Sequence, residues 1–127
     1  MMDQNRLDKI IRRFWETKHN SDLYYLGRCA DVSYAIQKFL GGKGQIYTLG
    51  GDNKTVAWHT VLKIGDYYFD IRGKQDIDQV LRHNPIALSK DAIQPAGPNE
   101  IAHIVSLLNH QFVQDTIDGL KKAEKEV

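Results

Sequence analysis

Residues 55–73 read TVAWHTVLKIGDYYFDIRG. Valine, isoleucine, threonine and aromatic residues dominate two runs of strand length, and Gly65-Asp66 stands between them. That composition predicts a β-hairpin closed by a two-residue turn. Such a turn pairs Ile64 with Tyr67 and sets His59 opposite Arg72. Asp70 then shares a face with His59, on the diagonal, where an imidazole and a carboxylate meet.

Outward from the hairpin, QIYTLG (45–50) predicts a further strand and GGDNK (50–54) a turn. The middle of the chain is therefore a small antiparallel sheet. Helices flank it. Leu7, Ile10, Ile11, Phe14 and Trp15 recur at helical spacing within about residues 3–18. HNSDLYYLG (19–27) reads as a loop. A second helix is predicted from Cys29 to Leu40, with an apolar stripe of Val32, Ala35, Ile36, Phe39 and Leu40 and Gly41-Gly42 as its stop. Beyond the hairpin, KQDIDQVLRHN (74–84) reads as a short helix, with Asp76 and Asp78 at its N-cap and first turn. Residues 85–99 read as a loop that holds all three prolines. A long helix is predicted from about Asn99 to Lys125, and residues 120–127 as a solvated tail. The layout is α+β: N-terminal helices packed on a small antiparallel sheet, with a long C-terminal helix, in one domain spanning residues 1–127.

At 127 residues the chain is long enough for a real core. Lysine plus arginine number 17 against 16 acidic residues, which leaves no electrostatic footprint for nucleic acid and no polybasic stripe for a membrane. No apolar run approaches the roughly 20 residues of a membrane span, and the N-terminus lacks signal-peptide features. A single cysteine forms no internal disulfide, so a reducing, cytoplasmic compartment is expected; delivery into a target cell by a specialised route would leave no mark. No cofactor or metal is called for. His103 and His110, seven apart on the expected last helix, have no ligand cluster beside them at zinc spacing. GGKG and LGGDNKT do not match a phosphate loop.

Cys29 carries the sharpest question. It lies in register with an apolar stripe, as a core cysteine would. It also opens a helix, where oriented N–H groups and the helix dipole favour a thiolate. A nearby imidazole lowers a thiol further and shuttles its proton, and a carboxylate fixes the ring's tautomer. His59 and Asp70 on the hairpin supply both. The chain thus offers Cys29 as nucleophile, His59 as general base and acid, and Asp70 as the group that orients the ring. Each residue alone has a plainer reading: Asp70 accepting backbone N–H groups in the turn toward Gly73, for example, or pairing with Arg72.

GRCADVSYAIQKFL followed by WHTVLKIGDYYFDIRG resembles the papain-like cysteine enzyme superfamily in its minimal form, the group of small papain-fold toxins, transglutaminase-like domains and effector deamidases and proteases. The resemblance spans about Tyr25 to Gly73. It implies a helix bearing the catalytic cysteine, packed on an antiparallel sheet that carries histidine and then aspartate. It implies acyl transfer through a thioester on a protein partner, as a glutamine deamidase, transglutaminase or peptidase, in a toxin, effector or viral conflict protein. The chain departs from the pattern at Leu23, where those enzymes have an oxyanion-binding glutamine, and at Ala30, where they have an aromatic residue. Asn20, Tyr24 and Tyr25 are the nearest substitutes. Tyr24, Tyr25 and Trp58 are expected to line a substrate cleft with Asn20. The alternative reading is a non-enzymatic protein-binding module that retains the scaffold, with Cys29 in its core.

Overall fold

The hairpin forms in the expected register. In the computed structural model, which describes residues 2–17, 28–50, 57–83 and 93–127, strand β2 (Ala57–Ile64) and strand β3 (Tyr67–Asp70) pair antiparallel with Ile64 opposite Tyr67. Gly65 takes φ +60°, the left-handed conformation that a tight turn between twisted strands requires. Strand β1 (Gln45–Gly50) pairs with β2 on the other side.

Two short strands extend the sheet. Gly73–Gln75 forms β4 and Ile93–Pro95 forms β5, giving the order β4-β3-β2-β1-β5, antiparallel throughout. Both correct the sequence reading, which placed residues 74 and 75 in a helix and residues 93–95 in a loop. Three residues are too few to show a period. Their pairing comes from the neighbours: Asp70 sits opposite Gly73 across the two-residue turn Ile71-Arg72, with Gly73 at φ +91°. Pro95 is tolerated because β5 is an edge strand.

Five helices are present among the described residues: α1 (Gln4–Thr17), α2 (Cys29–Phe39), α3 (Ile77–His83), α4 (Pro98–Leu107) and α5 (His110–Glu126). With the antiparallel sheet they make an α+β fold. One sheet face buries Ile46, Leu62, Ile64, Phe69 and Ile71 against Leu7, Ile10, Ile11 and Phe14 of α1, Val32 and Ile36 of α2, and Leu120 and Ala123 of α5. The other face buries Leu49, Val61 and Tyr68 against Val80 of α3. Asp76 caps α3 as expected: its carboxylate accepts the Gln79 N–H at 2.8 Å, and the Gln79 side chain accepts the Asp76 N–H at 2.8 Å.

The single helix expected over residues 99–125 is two. Leu108 is extended (φ −67°, ψ 141°), and Asn109 caps α5 by accepting the Phe112 N–H. The Asn109 N–H donates to the buried Asp31 carboxylate of α2, 3.1 Å away. A tertiary bond to a residue far earlier in sequence thus breaks a helical pattern that looks continuous. His103 and His110 fall on different helices as a result. The solvated tail is also corrected. The helix continues to Glu126, Leu120 and Ala123 are buried one helical turn apart, and Arg13 binds Glu126 at 2.7 Å.

Candidate active site

The end of β3 creates the site. In the alternation set by the Ile64–Tyr67 pair, Leu62 and then Thr60 turn their backbone groups toward β3. The ladder stops at Leu62–Phe69, so Thr60 finds no strand there. Helix α2 takes that edge instead. Ser33 donates from Oγ to the Thr60 carbonyl at 2.9 Å, and the Thr60 N–H bonds to the Cys29 sulfur. Cys29 and Ser33 lie four apart, on one side of the helix. The helix start is thereby fixed against β2 beside His59.

His59 lies opposite Leu49 and two residues before Val61, on the α3 side of the sheet. It is 6% exposed, and its Nε2 meets Asp70 Oδ2 at 2.9 Å. The ring shares a further hydrogen bond with Cys29. Asp70 is 2% exposed and fully engaged. Its Oδ1 accepts the Arg72 N–H and the Gln75 Nε2–H, both at 2.7 Å, and Arg72 Nη1 stands 3.5 Å from Oδ2. The plainer readings of Asp70, a turn acceptor and an Arg72 partner, hold together with the His59 contact. A carboxylate has enough lone pairs for all of them.

The electrostatics follow from these contacts. Burial pushes the His59 ring down, but Asp70 and then Cys29 outweigh it, and the ring is raised to about 9. Burial pushes the Cys29 thiol up; the hydrogen bond and charge of His59, with the N–H groups of Thr60 and Ala30, outweigh that and leave the thiol lowered. The two shifts favour a thiolate beside an imidazolium. Cys29 is half-buried rather than sealed into the core. Cys29, His59 and Asp70 thus stand in one hydrogen-bonded line.

Of the expected site residues, Cys29, His59 and Asp70 come together. Asn20, Tyr24 and Tyr25 lie outside the described residues, as do Leu23 and Gly27. Trp58 belongs to β2, and its side chain lies outside what is described. Tyr68 is buried with its ring edge-on to Tyr47, centroids 5.7 Å apart, whereas Tyr67 is exposed under the Lys74 ammonium. The sequence reading missed Gln75 and His83. Gln75 is 2% exposed, and its Oε1 accepts from His83 Nδ1 at 2.8 Å. The signal was available: a two-residue turn after Asp70 sets Gln75 opposite Tyr68, on the face and diagonal that His59 and Asp70 already share. Set against known proteins, the chain matches no family model, no curated protein and no solved structure.

Proposed function

We propose that this chain is a thiol-dependent acyl-transfer enzyme, similar in organisation to the minimal papain-like enzymes, that acts on a side-chain amide of a protein partner. The observation that carries the reading is the line Cys29–His59–Asp70, a buried histidine hydrogen-bonded to Asp70 and to the thiol. The Cys29 thiolate attacks the carbonyl carbon of the amide. The oxyanion that develops sits at the start of α2, where the first N–H groups have no partner within the helix. The His59 imidazolium gives its proton to the leaving nitrogen, the C–N bond breaks, and ammonia departs from a primary amide. A thioester on Cys29 remains. Water, deprotonated by His59, attacks it, the C–S bond breaks, and the carboxylate leaves; the net change is hydrolysis of glutamine to glutamate. An amine in place of water gives a new amide instead. Asp70 keeps the ring in the tautomer and orientation both half-reactions use.

A side-chain amide is favoured over an extended peptide because SDLYYLG (21–27) and GGDNKTVAW (50–58) read in sequence as short, aromatic-bearing loops. They suit a narrow slot better than a groove with many subsites. A toxin or effector acting on one protein fits such a slot.

Intact-mass measurement on candidate partner proteins tests the reading. Hydrolysis of one glutamine adds about one dalton, and transglutamination removes ammonia and adds the amine. Either change, lost in Cys29→Ala, supports the proposal. Backbone fragments from the wild type alone would make the enzyme a peptidase. Unmodified partner that still binds Cys29→Ala tightly would make the chain a binding module.

A further inference from the structure

The hydrogen-bonded line does not end at Asp70. His59, Asp70 and Gln75 form a diagonal row across β2, β3 and β4, on one face of the sheet, and α3 packs on that face with His83 at its end. Gln75 donates from Nε2 to Asp70 Oδ1, so its Oε1 is the acceptor and His83 Nδ1 must carry the hydrogen. The Gln75 amide therefore has one orientation that satisfies both neighbours, and the exposed His83 fixes it. Burial and then the Arg72 charge hold the His83 ring below the usual imidazole value, in keeping with a neutral Nδ1–H donor.

We propose that Gln75, locked by His83, is a positioning residue that sets the plane of the Asp70 carboxylate and through it the His59 ring. The inference rests on the acyl-transfer reading of Cys29, His59 and Asp70. With Gln75 present, donors on Oδ1 and the ring on Oδ2 fix the carboxylate from both ends. Without the Gln75 amide, Oδ1 keeps only the Arg72 N–H, and the carboxylate is freer to turn and carry Oδ2 off the line of His59 Nε2. The ring then loses part of the contact that keeps it protonated.

The test is an NMR titration of the His59 ring in the wild type, His59→Gln as the assignment control, Gln75→Met and His83→Ala, with thermal melts on each. Gln75→Met keeps side-chain length and removes both hydrogen bonds. The His59 midpoint is expected to fall by about one unit in Gln75→Met, a tenfold change in proton affinity. His83→Ala is expected to fall in the same direction by less. Its site is exposed, so this variant decides the matter if Gln75→Met fails to fold. A melt lowered in Gln75→Met with the His59 midpoint unmoved would make Gln75 merely structural and overturn the proposal. An unmoved midpoint in His83→Ala would overturn the lock. A wild-type His59 that titrates at the ordinary imidazole value would instead sink the reading of the site itself, so the two failures are distinct.

Discussion

Ser33 Oγ donates to the Thr60 carbonyl at 2.9 Å, and this bond ties the helix that bears Cys29 to the strand that bears His59. Both residues are buried. Four residues earlier on α2 is Cys29; one residue earlier on β2 is His59. The separation between thiol and imidazole is thus set one turn away from the chemistry. Ser33→Ala leaves a buried carbonyl without its donor, and a loss of about 1–3 kcal/mol is expected in denaturant titration. The rate of Cys29 alkylation should fall with it. Unchanged stability would show that the helix start is held by other contacts.

Cys29→Ala should abolish activity while leaving the protein folded. Cys29 is half-buried, and its loss leaves the Thr60 N–H and the His59 ring without the sulfur, so a cost of about 1–2 kcal/mol is expected. Chemical denaturation and the intact-mass assay check the two halves separately. A loss of several kcal/mol with activity kept would return Cys29 to the core.

His59 and Asp70 should behave as a unit with Cys29. His59→Ala is expected to remove activity almost as fully as Cys29→Ala, and the double variant to be little worse than either. Asp70→Asn should lose less activity, since it keeps the shape of the side chain. Asp70→Ala also strips the partners from buried groups of His59 and Gln75 and should destabilise by about 2–4 kcal/mol. Rate losses that multiply independently for Cys29 and His59 would contradict the shared line.

The hairpin was readable because its information is local: β-branched and aromatic residues, with a glycine where φ must be positive. Cys29 at a helix start was readable for the same reason, through the spacing of the stripe behind it. The ends of the sheet were not. The three-residue strands β4 and β5 show no period of their own and exist because β3 and β1 offer them edges. The break at Leu108-Asn109 depends on Asp31, which sequence spacing does not connect to it. Ala123 reads as part of a charged tail until α5 lies against α1. Gln75 is legible by the same local logic, since the two-residue turn after Asp70 sets it opposite Tyr68.

Gly119 shows how closely α5 and α1 approach. A Cβ there would run into the Phe14 ring, and Phe14 is buried in the main core. Gly119→Ala gains helix propensity but should still destabilise by about 1–3 kcal/mol, because the ring has no room to retreat. The reactivity of Cys29 should not change. A stabilised variant in thermal melts would mean that the helices shift apart cheaply.

The pH dependence of stability has a sign that can be worked out. His59 is raised by folding from 6.5 to about 9, so its contribution is complete below 6.5 and is lost as pH climbs through about 9. Cys29 is lowered by folding from 9.0, so its contribution is present above 9.0 and is lost as pH falls through its lower folded value. In the wild type the two slopes oppose each other between 6.5 and 9. In Cys29→Ala the Asp70 contact alone keeps His59 raised, and its slope stands uncovered. The melting temperature of Cys29→Ala should fall relative to the wild type as pH rises from 6.5 toward 9. A constant difference across that window would argue against the coupled pair.

The central claim is that Cys29 is a thiolate held by His59. The most direct measurement is the rate of Cys29 alkylation by iodoacetamide, from about pH 5 to about pH 9, in the wild type and in His59→Ala. The wild type is expected to react at a lower pH than an ordinary thiol, and His59→Ala to require a pH near about 8.5, the value of a free cysteine. Identical profiles at the ordinary thiol value in both proteins, or no reaction in either, would contradict the account.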